Sequence, residues 1–270
     1  MKQLIFTLFI SLTISTSAQS IFENQESSDT LSQEKKEAII LLTEQVLLEA
    51  IDSIAHEGMY MRAIDLLDSI QANWKKMTGK EPSPMVYIKK GNYYLHMEEW
   101  QQLIDVTTEC INNNKESMTN KMMALIYSMQ ASGYRNLDDY KKAIRSYESE
   151  VGYYSTPEDY GSQGAALCNI ANCYDKLGKA SVASSFYEKG LMKYLQYFNI
   201  TKKQLIKSYF KVDDPNKEAT FELFAVHLYS MAVFEQNNGD RQTSKEYLLM
   251  SAHCGDSMAQ SEYQRIYGGY

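Results

Sequence analysis

The strongest constraint on the fold of this chain is a pattern of small and bulky side chains that recurs about every forty residues. One column of the pattern holds small or aliphatic residues, namely Ala63, Leu103, Ala143 and Ala183. A column nine residues earlier is bulky and holds Ile54, Tyr94, Tyr134 and Tyr174. A column twelve residues earlier is mostly small and holds Ile51, Gly91, Ala131 and Ala171. Because the spacing is regular while the residue types vary, the pattern indicates one packing geometry used repeatedly.

The segments that carry this pattern are predicted to be helices. Apolar residues recur at helical spacing within each segment, and no stretch alternates between apolar and polar residues as a strand would. A proline inside a helix would remove a hydrogen bond and clash with the preceding turn. All four prolines instead lie between the periodic segments, at Pro82, Pro84, Pro157 and Pro215. The sequence therefore predicts an all-α fold of helices joined by short loops.

One repeat explains why small residues stand where they do. We predict two antiparallel helices at residues 164–177 and 179–195, with Ala171 and Ala183 at the place where the two backbones pass closest. Larger side chains there would push the helices apart. Gly178 stands between the two helices, where a residue that tolerates left-handed backbone angles allows the chain to reverse.

This helix-turn-helix pattern resembles the tetratricopeptide repeat (TPR) family, most clearly over residues 122–151 and 164–191. The resemblance implies antiparallel helix pairs that stack into a right-handed superhelix, an α-solenoid, with four units over residues 31–197. The period of about forty residues is longer than the roughly 34 residues usual for the family, and the surplus lies in the loops between units.

The remaining segments are assigned by their departure from the repeat. Residues 198–220 break the register and are predicted to form an irregular connection with one extra helix. Residues 221–270 resemble a fifth TPR-type hairpin, with Gly239 at the turn and a tail similar to Sel1-like repeats; a closing unit is expected to be atypical. Residues 19–30 are polar and are predicted to be disordered.

The first residues, 1–18, are predicted to be a secretory signal peptide. Lys2 precedes an apolar run from Leu4 to Ile14, and small residues follow this run up to Ala18. The run is well short of the about 20 residues that a membrane-spanning helix needs. We predict cleavage after Ala18 and export to the periplasm or beyond, with no membrane span in the mature chain. An uncleaved membrane anchor is the alternative.

The charge of the chain disfavours a nucleic-acid partner. The sequence contains 34 acidic and 27 basic residues, a formal net charge of −7, and its lysines and arginines form no cluster. Neutralising phosphate groups requires such a cluster. We therefore expect no nucleic acid among the partners.

No catalytic or metal-binding motif stands out in the sequence. It lacks HExxH, GxSxG, a phosphate-binding glycine loop and CxxC. His56 and His96 share a column, but Asn136 and Lys176 fill the same column, which favours helix capping over a metal pair. The four cysteines are predicted to be small buried core residues, at Cys110, Cys168, Cys173 and Cys254. We expect a chain that is not an enzyme and that needs no cofactor.

The resemblance to the TPR family implies a groove lined by the first helix of each unit. Three columns are assigned to this groove. The first holds Asp52, Asn92, Ser132 and Asn172; the second holds Leu48, Ile88, Ser128 and Cys168; the third holds Ala55, Leu95, Arg135 and Asp175. The candidate binding residues are the polar members Asp52, Asn92, Ser128, Ser132, Arg135, Asn172 and Asp175.

The chemistry of this groove differs from that of the chaperone-binding TPR domains. Those domains clamp a terminal carboxylate with Lys, Arg and Asn, whereas the matching positions here hold no cation and are Ile88, Asn92, Ser132, Cys168 and Asn172. Amides repeated along a groove can instead bond both the N–H and the C=O groups of an extended peptide. Solvated polar positions without a ligand are the alternative.

The sequence thus predicts an exported, non-enzymatic scaffold of a bacterial cell envelope that binds a protein or an extended peptide. The competing prediction is a glycan- or peptidoglycan-binding accessory module, which the 21 tyrosines suggest, although helix packing accounts for many of them. An enzyme with an unfamiliar site is a more remote alternative. The sequence leaves the oligomeric state open.

Overall fold

The computed structural model describes residues 33–268, with side chains from residue 44 onward apart from residues 77 and 78. This range is α-helical, with two short 3-10 helices and no strand, as the sequence predicts. The first six α-helices are α1 Gln33–His56, α2 Tyr60–Thr78, α3 Pro84–His96, α4 Trp100–Asn114, α5 Asn120–Asn136 and α6 Tyr140–Gly152. The others are α7 Tyr160–Lys176, α8 Ala180–Phe198, α9 Lys202–Lys207, α10 Glu218–Asn237, α11 Arg241–His253 and α12 Ser257–Tyr267.

Two predicted segments precede this range. The signal peptide predicted at residues 1–18 and the disordered polar segment predicted at residues 19–30 lie outside the described residues, and both assignments stay predictions. Among the described helices, none combines the length and the apolar character that crossing a bilayer requires.

The described residues form two compact units, and the first ends at Glu98. It consists of α1, α2 and α3, in which α2 packs against both of the others. The carboxylate of Glu44 on α1 accepts a hydrogen bond of 3.2 Å from the backbone N–H of Ser83, which precedes α3. The apolar core of this unit is formed by Leu48, Ile51, Ala55, Ala63, Ile64, Leu67, Val86 and Tyr93.

The second unit begins at Glu99 and contains α4 to α12. From α4 to α8, each helix packs against the next one in the chain; α10 packs against α7 and α11, and α11 also contacts α12. One large apolar cluster unites side chains from α7, α8, α10 and α11. Its bulkiest members include Tyr187, Tyr194, Phe198, Phe221, Phe224, Leu228 and Met231. The C-terminal hairpin α10–α11 therefore shares its core with helices α7 and α8.

The anchor column of the repeat is buried throughout. Ala63, Leu103, Ala143 and Ala183 are all 0% exposed, in agreement with the predicted core register. Each is the fourth residue of its helix, in α2, α4, α6 and α8 respectively. The sequence pattern therefore reports one packing position used four times.

Helices α7 and α8 approach each other closely at a pair of glycines. A Cβ atom on Gly190 would lie 2.5 Å from Cys168 Sγ and 3.0 Å from the backbone oxygen of Gly164. A Cβ atom on Gly164 would in turn lie 3.1 Å from the backbone oxygen of Gly190. Ala171 and Ala183 are fully buried in the cluster that these helices share. Small residues between the two helices are therefore a packing requirement at Gly164 and Gly190, whereas the closest approach at Ala171 and Ala183 stays a prediction.

Several turns between successive helices share one backbone conformation. Gly178 has a φ of 69°, which confirms the predicted left-handed reversal, and Gly239 has a φ of 86°. The equivalent turn in the first unit has Gly58 at 79°. Two turns place residues with a side chain in this conformation, Glu98 at 58° and Asp138 at 59°.

The segment between α8 and α10 contains the extra helix α9. The side chains of Thr201 and Gln204 cap its first turn reciprocally, with a bond of 2.8 Å from Thr201 N to Gln204 Oε1. Leu205 is fully buried, and α9 packs against α11. Phe210 donates its backbone N–H to the carbonyl of His253 over 3.1 Å. The connection is thus bonded to the end of α11.

Candidate functional site

Six half-buried polar side chains define what we call the α5–α7 polar face: Ser128, Ser132, Arg135, Asn169, Asn172 and Asp175. The first three belong to α5 and the others to α7. Because their spacing is three or four residues, each set lies on one side of its helix. Five of the seven predicted candidates therefore fall on this face, and Asn169 joins them.

Arg135 connects the two helices of the face. Its Nη1 donates a hydrogen bond to Asn169 Oδ1 over 3.0 Å. Burial, with a smaller contribution from the Arg135 charge, lowers the pKa of His227 to about 4. His227 is therefore neutral at pH 7, and its Nδ1 shares a hydrogen bond of 2.9 Å with the Tyr194 hydroxyl.

Asn172 is oriented by a buried tyrosine. The hydroxyl of Tyr187 donates a hydrogen bond of 2.5 Å to Asn172 Oδ1. Burial raises the pKa of Tyr187 far above its usual value, so the hydroxyl keeps its proton and remains a donor. Within the described range, no atom accepts a hydrogen bond from Asn172 Nδ2. The two N–H groups of this amide are therefore left as donors.

A buried carboxyl group lies next to Ser128. Glu150 on α6 accepts a hydrogen bond of 3.0 Å from the Tyr154 hydroxyl at Oε1, while no described residue donates to its Oε2. Burial raises the pKa of Glu150 to about 7, and the hydroxyls of Tyr154 and Ser128 oppose this rise. Near neutral pH the group therefore changes charge within the protein interior.

The two candidates of the first unit have different surroundings. Asp52 on α1 forms an ion pair with Lys89 and accepts a hydrogen bond of 2.6 Å from the Tyr93 hydroxyl, both on α3. Burial opposes ionisation of Asp52, but these two partners outweigh it and lower the pKa of the carboxyl. Asn92 on α3 is half-buried. Asp52 thus links α1 to α3, whereas Asn92 stays a prediction as a binding residue.

The second groove column was predicted to line the surface, and this prediction is wrong for three of its four residues. Leu48, Ile88 and Cys168 are 6%, 4% and 0% exposed, so they belong to the core and do not line a surface. Ser128, in the same column, is half-buried. Ala55, from the third column, is also buried, at 3% exposure.

The four cysteines are buried thiols, as predicted. Burial raises the pKa of Cys173 to about 11 and the pKa values of Cys110 and Cys254 to about 12. It raises the pKa of Cys168 further still. Thiolates are the reactive form, so the environment of these residues disfavours reaction in the folded chain.

His96, one of the two histidines that share a repeat column, packs against an aromatic ring of the first unit. The ring of His96 stacks on Tyr60 with a centroid distance of 5.5 Å and an interplanar angle of 7°. Over residues 33–268, no group of three or more His, Cys, Asp or Glu side chains is arranged to hold a metal ion. The capping role of His56 and His96 stays a prediction.

The sequence columns missed two features near the α5–α7 polar face, namely Asn169 and Glu150. Asn169 stands one turn before Asn172 and could have been found by extending that column along the same helix face. Glu150 gave no such signal, because a glutamate near the end of an amphipathic helix is ordinarily solvated. Its burial depends on neighbours from other helices.

Comparisons with known proteins bear on the fold. No protein-family model matches the chain, and no curated protein matches it significantly. Among solved structures, it is similar to MamA, with a TM-score of 0.51 and 14% identity over 77% of this chain and 96% of that one. It is also similar to a kinesin light chain from Podosopora anserina with nearly identical TPR-like repeats, with a TM-score of 0.56 and 16% identity over 82% and 96% of the two chains.

A third similar structure is the APC/C hetero-tetramer Cut9–Hcn1. The TM-score is 0.52 with 10% identity, and the match covers 94% of this chain and 45% of that one. At these identities the likeness concerns the fold alone. Together with the helix hairpins described above, it supports a TPR-like fold and agrees with the resemblance seen in the sequence.

Proposed function

We propose that this chain is a non-enzymatic scaffold that binds a protein or an extended peptide on its α5–α7 polar face. The observation that carries the proposal is the bond between Arg135 Nη1 and Asn169 Oδ1, which fixes two donor-bearing side chains across neighbouring helices. Asn172, held by Tyr187, adds a third beside them. The TPR-like neighbours, one of which is a hetero-tetrameric assembly, are consistent with this role.

The mechanism would be recognition by preformed donors. Arg135 has five N–H donors and each amide has two, so this surface suits acceptors such as peptide carbonyl groups or a carboxylate. Since packed helices hold these side chains before binding, little ordering cost falls on the scaffold. The predicted signal at residues 1–18 supports the further proposal that the mature chain acts in a bacterial cell envelope.

The proposal is tested by affinity capture from envelope extract with residues 19–270 as bait. We expect Asn172→Ala to lower partner capture about tenfold, because its N–H donors are removed from the α5–α7 polar face. Asn172→Asp is a second variant: it keeps an acceptor for Tyr187 and removes the N–H donors, and its negative charge also repels a partner rich in acceptors.

Gln242→Ala serves as the matched control, because Gln242 is an exposed amide on α11 that bonds only its neighbour Glu246 among the described residues. Circular dichroism checks that each variant is folded. Equal capture by all variants would contradict the role of the amides, and the absence of any retained protein would contradict the scaffold function.

A glycan-binding module is the second candidate, and one observation favours it. The rings of Tyr127 and Tyr153 are stacked with centroids 5.8 Å apart at an interplanar angle of 16°, and both are half-buried. Aromatic faces of this kind can bind sugar rings. Retention of the chain on isolated peptidoglycan, lost in Tyr127→Ala and kept in Asn172→Asp, would support this function over peptide binding.

A further inference from the structure

Helix α10 is apolar on its outer side as well as on its inner side. It buries Phe224, Leu228 and Met231, yet Leu223, Val226 and Val233 are 41%, 45% and 38% exposed. A helix that is apolar all round is normally enclosed by protein. Nothing in the described part of the second unit covers this outer side.

The exposed residues form a continuous stripe. Ala219, Leu223, Val226, Ser230 and Val233 follow the three-four spacing at which one helix packs against another. From Leu223 to Val233 the stripe extends about 15 Å, since each residue rises about 1.5 Å along a helix. It can therefore contact about three turns of a second helix.

A cleft beside the stripe extends the exposed surface onto α12, with Met258 as the one aliphatic residue in its lining. It has a volume of about 500 Å³ and is lined by Tyr229, Ser257, Met258, Ser261, Glu262 and Arg265. Tyr229 donates a hydrogen bond of 2.7 Å to Glu262 Oε2, which fixes one wall. Met258 is 58% exposed at the other wall, and an unbranched thioether side chain adapts readily to a partner.

The charges around this surface are unbalanced towards acid. Glu222 adjoins the stripe and Glu218 precedes it at the start of α10; both are exposed, and no described residue forms an ion pair with either. The neighbouring cation Lys217 is turned away, with Nζ 4.9 Å from the ring centroid of Tyr197 on α8. Arg265, the cation lining the cleft, contacts Glu262 at 3.5 Å.

We propose that the stripe and the cleft form a docking site for an amphipathic helix of a partner protein. The partner helix would place apolar residues at three-four spacing against Leu223, Val226 and Val233, and Lys or Arg at its edge against Glu218 and Glu222. An apolar side chain would enter the cleft beside Met258. This inference rests on the proposed scaffold function and specifies the class of partner.

The test uses three synthetic helical peptides that share one leucine face and differ only in the edge residues, which are Lys, Gln or Glu. Fluorescence anisotropy with residues 19–270 measures their affinities. We expect the Lys peptide to bind tightest and the Glu peptide weakest, with Glu218→Gln combined with Glu222→Gln removing the preference. Leu223→Ser combined with Val226→Ser should weaken binding of the Lys peptide about tenfold.

Met61→Ser combined with Met192→Ser is the matched control, because both methionines are exposed apolar residues outside this surface, at 58% and 56%. Equal binding by this control and by the Leu223/Val226 variant would overturn the proposal. So would self-association, seen by sedimentation and abolished in the Leu223/Val226 variant, since a second copy would then cover the stripe. Binding of phosphatidylcholine–phosphatidylglycerol vesicles through the stripe would assign it to a membrane instead.

The outcomes separate this inference from the scaffold function. If envelope extract yields a partner that the Leu223/Val226 variant retains as well as the unmodified chain does, only the docking site fails. If no partner is retained by either protein and no peptide binds, both proposals fail.

Discussion

At the scale of single residues, the turns between helices require a left-handed backbone that costs some residue types more than others. Gly58 and Gly178 reach positive φ values without a Cβ penalty, whereas Glu98 and Asp138 reach them with one. A left-handed conformation costs an L-residue roughly 1 kcal/mol, less for Asp than for Glu because the short Asp side chain can bond locally. Asp138 does so, accepting a bond of 2.5 Å from the Tyr140 hydroxyl.

Replacement of Glu98 by glycine should stabilise the protein. We expect Glu98→Gly to raise the free energy of unfolding by about 0.5–1 kcal/mol, because relief of backbone strain exceeds the added freedom of the unfolded chain. Gly178→Ala is the reciprocal control and should cost about 1 kcal/mol. A Cβ there meets no atom within 4 Å, so only the backbone conformation is tested. Urea denaturation measures both, and shifts of the same sign would contradict the expectation.

The ionisation of Glu150 should make stability depend on pH. Its pKa is raised to about 7 in the folded protein, above the roughly 4.3 of an unfolded glutamate. The folded state therefore binds the proton more tightly, and the stabilisation present at low pH is lost as the pH rises through about 7. His227, with its lowered pKa, acts in the opposite sense below pH 6.5.

We therefore expect the unfolding free energy of Glu150→Gln, minus that of the unmodified chain, to rise between pH 4.5 and 7.5. The rise should be about 3 kcal/mol, since each unit of pKa shift is worth about 1.4 kcal/mol. The subtraction cancels the contribution of His227. Denaturant titrations across this range measure the difference, and a flat curve would show that Glu150 is not buried as a carboxylic acid.

At the scale of elements, the contact between α7 and α8 tolerates no added volume at Gly190. A Cβ there would lie 3.0 Å from the backbone oxygen of Gly164, which cannot move independently of its helix. Gly190→Ala should thus destabilise by roughly 1–3 kcal/mol. Gly152→Ala, where a Cβ meets no atom within 4 Å, should be neutral or stabilise by about 0.5 kcal/mol. Thermal melts compare the two, and equal midpoints would contradict this crossing geometry.

The sequence was sufficient to place most elements but not every helix face. Gly178 and the alanine column predicted the turn and the register, because backbone reversal and close packing each restrict residue type. The Leu48, Ile88 and Cys168 column was misassigned, since its members precede the core column of Ile51, Gly91 and Ala171 by three residues and so share its face. The column one position after the core column lies at the core edge, and Asn172 is accordingly half-buried.

At the scale of the whole molecule, periodicity predicted the fold class better than it predicted the site. A repeat identifies equivalent positions but does not say which side chains meet across neighbouring helices. The pairing of Arg135 with Asn169 depends on the helix crossing, and the burial of Glu150 depends on several elements. The exposed stripe of α10 was not apparent in the sequence, because apolar residues occur on both sides of this helix and no periodicity separates the inner side from the outer side.

The four buried thiols can report local unfolding of the second unit. Cys110, Cys168, Cys173 and Cys254 all belong to the second unit, and none is accessible while its helices remain packed. A thiol-specific label can attach only during transient unfolding of the segment that contains each cysteine. The labelling rates would therefore show which of α4, α7 and the end of α11 unfolds locally most readily. No engineered probe is needed, and the first unit gives no signal.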